Sequence, residues 1–210
     1  MQDNPYHSIV SFCESCLAKY GDTFLGVGWT KKQEDADTRY QIMLEVIQSD
    51  NTERLELLDF GCGASHLYEY ILRQNINNVV YSGLDISEKF LTLSKQKFPS
   101  INYYHLNILV NNDELPDFDY IIMNGVFTLK CTLSFDEMFS YLQLVLLRLF
   151  KKARVGIAFN VMSKHLDWER DDLFHLPFDE LASFLTNNLR RHFVIRHDYH
   201  LYEYAVYVYK

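Results

Sequence analysis

The chain has 210 residues, 48% of them apolar, with fifteen Tyr and fifteen Phe, enough to bury a sizeable core. Its net charge of −8 argues against nonspecific nucleic-acid binding, where neutralised phosphates supply most of the affinity; RHFVIRH near the end is the only basic hint. No run of eighteen apolar residues exists to cross a membrane, and the N-terminal MQDNPYHSIV lacks a basic-then-apolar leader, so the expected setting is the cytoplasm.

In chain order, residues 5–20 place Ile9, Phe12, Cys13, Cys16 and Leu17 at helical spacing, with a stop at Gly21. Cys13 and Cys16 form an isolated C-x-x-C on this helix. A zinc site needs about four ligands, no second pair exists, and the four cysteines make no disulfide framework. GDTFLGVGW carries three of the eight glycines and reads as an irregular loop. DADTRYQIMLEVIQ reads as a second helix.

From residue 54 the rhythm becomes strand, loop, helix, repeated. RLELLDF, NVVYSGLDI, INYYHLNIL, FDYIIMNGV and RVGIAFNVM read as strands. ASHLYEYILRQ, EKFLTLSKQKF and SFDEMFSYLQLVLLRLFKKA read as helices, the second stopped by Pro99. Alternation of this kind implies an α/β fold with an open, mostly parallel sheet and helices on both faces. After the helix PFDELASFLTNNL come HFVIRHDYH and YEYAVYVYK, joined by too short a connection for a parallel crossover, so they should pair antiparallel. The expectation is a Rossmann-like sheet of about seven strands in one domain. Residues 1–52 would form an N-terminal helical extension and 53–210 the core.

In such sheets ligands bind beyond the carboxyl ends of the strands, where the strand order reverses. The first strand-to-helix loop is Asp59-Phe60-Gly61-Cys62-Gly63-Ala64-Ser65-His66. Gly61 permits a tight turn, and Gly63 permits close approach of the backbone to a ligand. Asp85 ends the next strand, 22 residues after Gly63, where a carboxylate can accept from both hydroxyls of a ribose. A dinucleotide cofactor would want a third glycine where His66 stands. Asp59 would also sit badly near a pyrophosphate but suits a cationic amino group.

The stretch Asp-Phe-Gly-Cys-Gly-Ala-Ser resembles the acid-x-Gly-x-Gly-x-Gly signature of class I S-adenosylmethionine-dependent methyltransferases, with Ser65 in place of the third glycine. The resemblance covers residues 54–210 and implies the cofactor S-adenosylmethionine. It implies that Asp59, Gly61, Cys62 and Gly63 underlie the methionine part, Asp85 binds the ribose and Ile86 packs on the adenine. Asn107 and Ile108 would address the adenine edge, Asn107 standing where the family usually has Asp. Asn124, Gly125 and Val126 would lie near the transferred methyl.

The segment GVGWTKKQEDADTRYQIM is expected to lid the cofactor, with Trp29 packing on it and Arg39 pairing with the methionine carboxylate. The long stretch NVMSKHLDWERDDLFH, residues 160–175, should hang over the same edge. It supplies His165 and Asp167 as candidate general bases for a hydroxyl acceptor; His66 and His105 are expected to be structural. No metal is assigned. The function implied is methyl transfer to a small polar acceptor, a hydroxyl of a sugar or another metabolite, without a nucleic-acid or membrane partner. The rival readings are an NAD(P)-dependent oxidoreductase, whose short-chain type wants a Tyr-x-x-x-Lys pair that the chain lacks, and a noncatalytic protein that binds the same cofactor.

Overall fold

The structure, a computed structural model, describes residues 6–29, 32–48, 54–110 and 114–210. Residues 1–5, 30–31, 49–53 and 111–113, which include parts of the expected extension and of the expected lid, lie outside the described residues.

Two helices, α1 (His7–Tyr20) and α2 (Gln33–Leu44), precede the sheet. Then follow β1 (Leu55–Phe60), α3 (His66–Arg73), β2 (Val79–Asp85), α4 (Glu88–Lys97), β3 (Asn102–His105), β4 (Phe118–Phe127), α5 (Phe135–Lys152) and β5 (Ala153–Ser163). The chain ends with β6 (His175–Leu176), α6 (Phe178–Asn188), β7 (Phe193–Arg196) and β8 (Glu203–Tyr209). The sheet runs β3-β2-β1-β4-β5-β8-β7, with the two-residue β6 pairing in parallel beside the end of β5. β8 is antiparallel to both β5 and β7, inserted between them as the short final connection requires.

The strands are apolar on both faces because both faces are covered. On one side Leu58, Ile121, Ile157 and Phe159 meet Leu142, Leu146 and Leu149 of α5 and Leu181 and Leu185 of α6. On the other, their neighbours Leu57, Ile122 and Ala158 meet Tyr40 and Met43 of α2 and Leu67 and Ile71 of α3. Period two along the strands and a single stripe along α5 thus produce a three-layer packing.

α5 begins at a capping box. Ser134 Oγ accepts from the Glu137 backbone N–H at 3.3 Å, and Glu137 Oε2 accepts from the Ser134 backbone N–H at 2.9 Å. β3 is shorter than the pattern INYYHLNIL predicts. Asn107 breaks it by folding the chain into a turn: its Oδ1 accepts from Leu109 N–H and its carbonyl from Val110 N–H. Among the described residues no helix is long and apolar enough to cross a membrane.

Replacing Ser134 with Ala should remove the box and lower stability by about 1 kcal/mol, read from urea unfolding midpoints.

Candidate active site

The strand order reverses between β1 and β4, which lie side by side with their onward connections leaving to different parts of the sheet. A cavity opens beyond their carboxyl ends, as expected for a doubly wound sheet. Its floor is the β1–α3 loop. Gly61 N–H and Cys62 N–H both donate to the Leu84 carbonyl on β2, at 2.7 and 3.0 Å, and draw the loop tight over the sheet. Gly61 has φ 74°, and a Cβ there would lie 2.7 Å from Val126 Cγ2, so only glycine allows the β4 end to come this close. Ser65, in place of the third glycine, also adopts the left-handed conformation, φ 59° and ψ 33°, with its hydroxyl 2.9 Å from that of Tyr103. The loop geometry therefore survives the substitution.

Two carboxylates are buried at this floor. Asp85 Oδ2 accepts from Gly63 N–H at 2.9 Å and Oδ1 from Ser87 N–H at 2.8 Å. Burial raises its pKa, opposed by these backbone donors. Asp59 accepts from the Tyr81 hydroxyl at 2.8 Å. Burial pushes its pKa to about 7, partly offset by that hydrogen bond, and the Asp85 charge adds a smaller upward push.

Of the expected cofactor residues, Asp59, Gly61, Cys62, Gly63, Asp85, Ile86, Asn107, Ile108, Asn124, Gly125, Val126 and Trp29 all border this one cavity. Arg39 does not. Its Nε donates to both carboxylate oxygens of Glu203, at 2.9 and 3.0 Å, and its guanidinium lies 5.0 Å from the centre of the Trp29 ring. The Trp29 ring in turn covers Gly125, where a Cβ would fall 2.9 Å from the indole Nε1.

His165 and Asp167 are not among the lining residues either. β5 runs on to Ser163, and the segment that follows is held to the chain after β4. Lys130 and Cys131 N–H groups donate to the Asp172 carbonyl, and Phe174 N–H donates to that of Thr128. His165 is left on the outer side, its ring 4.9 Å from that of Phe178, and Asp167 is exposed.

The structure also brings in residues that the sequence did not announce. Tyr6, Ile9, Val10 and Cys13 of the first helical segment line the cavity, so α1 borders it as well as the segment around Trp29. Glu14 fastens it, accepting from Ser87 Oγ at 2.7 Å and Lys89 Nζ at 2.6 Å. Tyr141 of α5 closes another wall. His66, expected to be structural, borders the cavity with Nε2 2.7 Å from Asp22 Oδ1 and Nδ1 without a partner among the described residues. Lys97 completes that corner by pairing with Asp22 at 2.8 Å and Glu69 at 2.6 Å. A polar residue inside an apolar strand was the available signal for a further group: Asn160 within IAFNVM and Glu203 before YAVYVY are both fully enclosed. Among the described residues no three His, Cys, Asp or Glu side chains are grouped to hold a metal ion.

The doubly wound sheet with its inserted antiparallel strand is the Rossmann-like fold of the S-adenosylmethionine-dependent methyltransferases to which this chain is similar. Residues 58–146 match the family model described as a methyltransferase domain. A Mycobacterium tuberculosis protein provisionally named a methyltransferase, Rv1506c, is 24% identical over 154 residues, 72% of this chain and 91% of the relative. Two solved structures show the same fold. Magnesium protoporphyrin IX methyltransferase of Synechocystis PCC 6803, with S-adenosylmethionine bound, superposes with a TM-score of 0.63 at 15% identity over 98% of this chain and 93% of that one. A TehB-like methyltransferase of Corynebacterium glutamicum gives 0.55 at 17% identity over 99% of both.

The two carboxylates suit the positively charged sulfonium and ammonium of this cofactor better than a phosphate. The glycine floor leaves room for it, and His66 Nδ1, without a partner among the described residues, supplies hydrogen-bonding capacity at one wall.

Asp59 also sets a pH dependence. It ionises near 3.8 ordinarily and near 7 in the folded protein, so between those values the folded state keeps a proton that the unfolded chain has lost. Stability contributed through this group falls as pH rises across that window. Asp59→Asn, which keeps an acceptor for Tyr81, should therefore melt higher relative to the parent protein at pH 7.5 than at pH 5.

Proposed function

We propose that this protein transfers the methyl group of S-adenosylmethionine to a small polar acceptor admitted to the cavity between α1, the Trp29 segment and the ends of β1 and β4. The observation that carries this reading is the convergence of the glycine floor, Asp85 and the β4 end on one cavity at the reversal of strand order.

In this reading Gly61 and Gly63 support the methionine part, and Asp59 faces its ammonium. Asp85 accepts from the ribose hydroxyls with the lone pairs that Gly63 and Ser87 leave free. Ile86, Ile108 and the apolar side of α1 sandwich the adenine, and Asn107 offers its amide to the adenine edge. When bound, the cofactor supplies a methyl group on an electrophilic sulfonium. The protein's part is to hold the acceptor in line with it, exclude water and keep the loop rigid. The lid helps in this, because Glu14 ties α1 to Ser87 and Lys89 beside the ribose acid. His165 and Asp167 have no part in this reading, since neither borders the cavity.

The walls support a small acceptor: Tyr6 just before α1, Leu129 just after β4 and Tyr141 of α5 border the space. The chain's negative charge agrees with an acceptor that is not a nucleic acid.

Calorimetry with S-adenosylmethionine and S-adenosylhomocysteine tests the cofactor assignment, and transfer of labelled methyl across a metabolite panel tests the activity. Asp85→Ala should weaken S-adenosylhomocysteine binding by about tenfold or more through the lost acceptor, with circular dichroism checking that the fold persists. An unchanged affinity would remove Asp85 from the ribose site, and binding without any turnover would favour the noncatalytic reading.

A further inference from the structure

Beneath the β4 end lies a buried polar chain that the cofactor site does not account for. Glu203 at the start of β8, Asn160 in β5 and Asn124 in β4 are 3%, 0% and 9% exposed. Glu203 accepts from Arg39 Nε and, through Oε1, from Asn160 Nδ2 at 2.8 Å. Asn160 Oδ1 accepts from the Gly125 backbone N–H at 2.7 Å. The remaining N–H of Asn160 donates to Asn124 Oδ1 at 3.2 Å.

The donor and acceptor identities allow only one orientation. A carboxylate accepts and a backbone N–H donates. Reversing the Asn160 amide would set its carbonyl oxygen against Glu203 and its NH2 against Gly125 N–H. With Asn160 fixed, Asn124 must turn its oxygen inward. Its Nδ2 then remains, buried and without a partner among the described residues, on a residue that borders the cavity.

We infer that Asn124 Nδ2 is a hydrogen-bond donor held toward the acceptor's reacting atom, that Glu203 is the positioning residue that sets it through Asn160, and that the acceptor is therefore an oxygen nucleophile rather than an amine. A hydroxyl or phenol oxygen has two lone pairs. One accepts from Asn124 while the other attacks. A neutral amine has one, which a donor held at that point would occupy; an amine site wants an acceptor there instead. In the transfer the oxygen lone pair forms the new O–CH3 bond, the C–S bond breaks with its electrons to sulfur, and the hydroxyl proton passes to solvent. The inference rests on the proposed placement of S-adenosylmethionine in this cavity.

The test compares matched alcohol or phenol and amine acceptors with methyl-labelled S-adenosylmethionine, beside calorimetry with S-adenosylhomocysteine. Transfer to the oxygen series is expected. Asn124→Asp, which replaces the donor with an acceptor, should cut it about a hundredfold at saturating S-adenosylmethionine. Glu203→Gln exchanges the charge-assisted partner of Asn160 for a neutral one, which loosens the amide that the Gly125 N–H still orients, and should cost up to about tenfold. A purely structural role for Glu203 would not move the Asn124 side-chain amide pair in a 15N-labelled spectrum, assigned by its disappearance in Asn124→Asp. That pair should shift in Glu203→Gln. Transfer to amines alone or to neither series, or full oxygen transfer by Asn124→Asp, overturns the inference. An unmoved amide pair in folded Glu203→Gln overturns the positioning role. Failure of the parent protein to bind S-adenosylhomocysteine would instead overturn the cofactor placement itself.

Discussion

Two parallel strands, β1 and β4, run side by side where the order of the sheet reverses, and their chains must part beyond the last shared hydrogen bonds. A crevice at this point follows from the connectivity, whatever the side chains are. What the side chains decide is how narrow it becomes. The absence of a Cβ at Gly61 lets Val126 close in from β4, and two N–H groups converging on the Leu84 carbonyl hold the loop against β2. Asp85, Cys62 and the start of α3 take their places from that one tightened turn.

The crevice is acidic at its base and covered by aromatic and aliphatic groups. Asp59 and Asp85 are kept out of water, and burial raises both carboxyl groups above their ordinary range. Burial disfavours the charged form of these carboxylates, and a positive charge placed beside them offsets that cost. A cationic, phosphate-free nucleoside fits this setting. The lid is latched at two places, Glu14 on Ser87 and Lys89, and Asp22 on His66 and Lys97. Both sets of contacts end on elements next to the floor, α3 and α4.

The last strand contributes more than an edge. Because β8 enters antiparallel between β5 and β7, its first residue comes level with the carboxyl end of β5, with Glu203 opposite Met162. A charged side chain is thereby carried deep beside Asn160, where Arg39 neutralises it. A buried ion pair of this kind is costly to build and gives little net stability. Its distinct effect is orientational: it leaves the amides of Asn160 and Asn124 a single arrangement next to the cavity. Arg39 thus pairs with a carboxylate of the protein itself and does not border the cavity.

Much of the molecule was legible in the residues alone. Period-two and period-3.6 patterns placed most elements near their observed ends, and the short link before YEYAVYVYK required the antiparallel insertion. The place of Gly61, Gly63, Asp85 and Asn124 at the cavity was readable because each lies within a few residues of a strand end, where the cavity opens. The lid face of α1, the corner of Asp22, His66 and Lys97, and the Glu203–Asn160–Asn124 chain were not readable. Their partners lie tens of residues away in the chain and meet only when the elements pack together. His165 and Asp167 show the converse: adjacency to the right strand end suggested the site, but hydrogen bonds to the chain after β4 hold that segment on the outside. Local sequence determined which elements form and where the cofactor loop begins, since backbone sterics and hydrophobic period act over a few residues. Only tertiary structure decided which polar groups face the cavity and in which orientation, because that depends on donors and acceptors from strands distant in the chain.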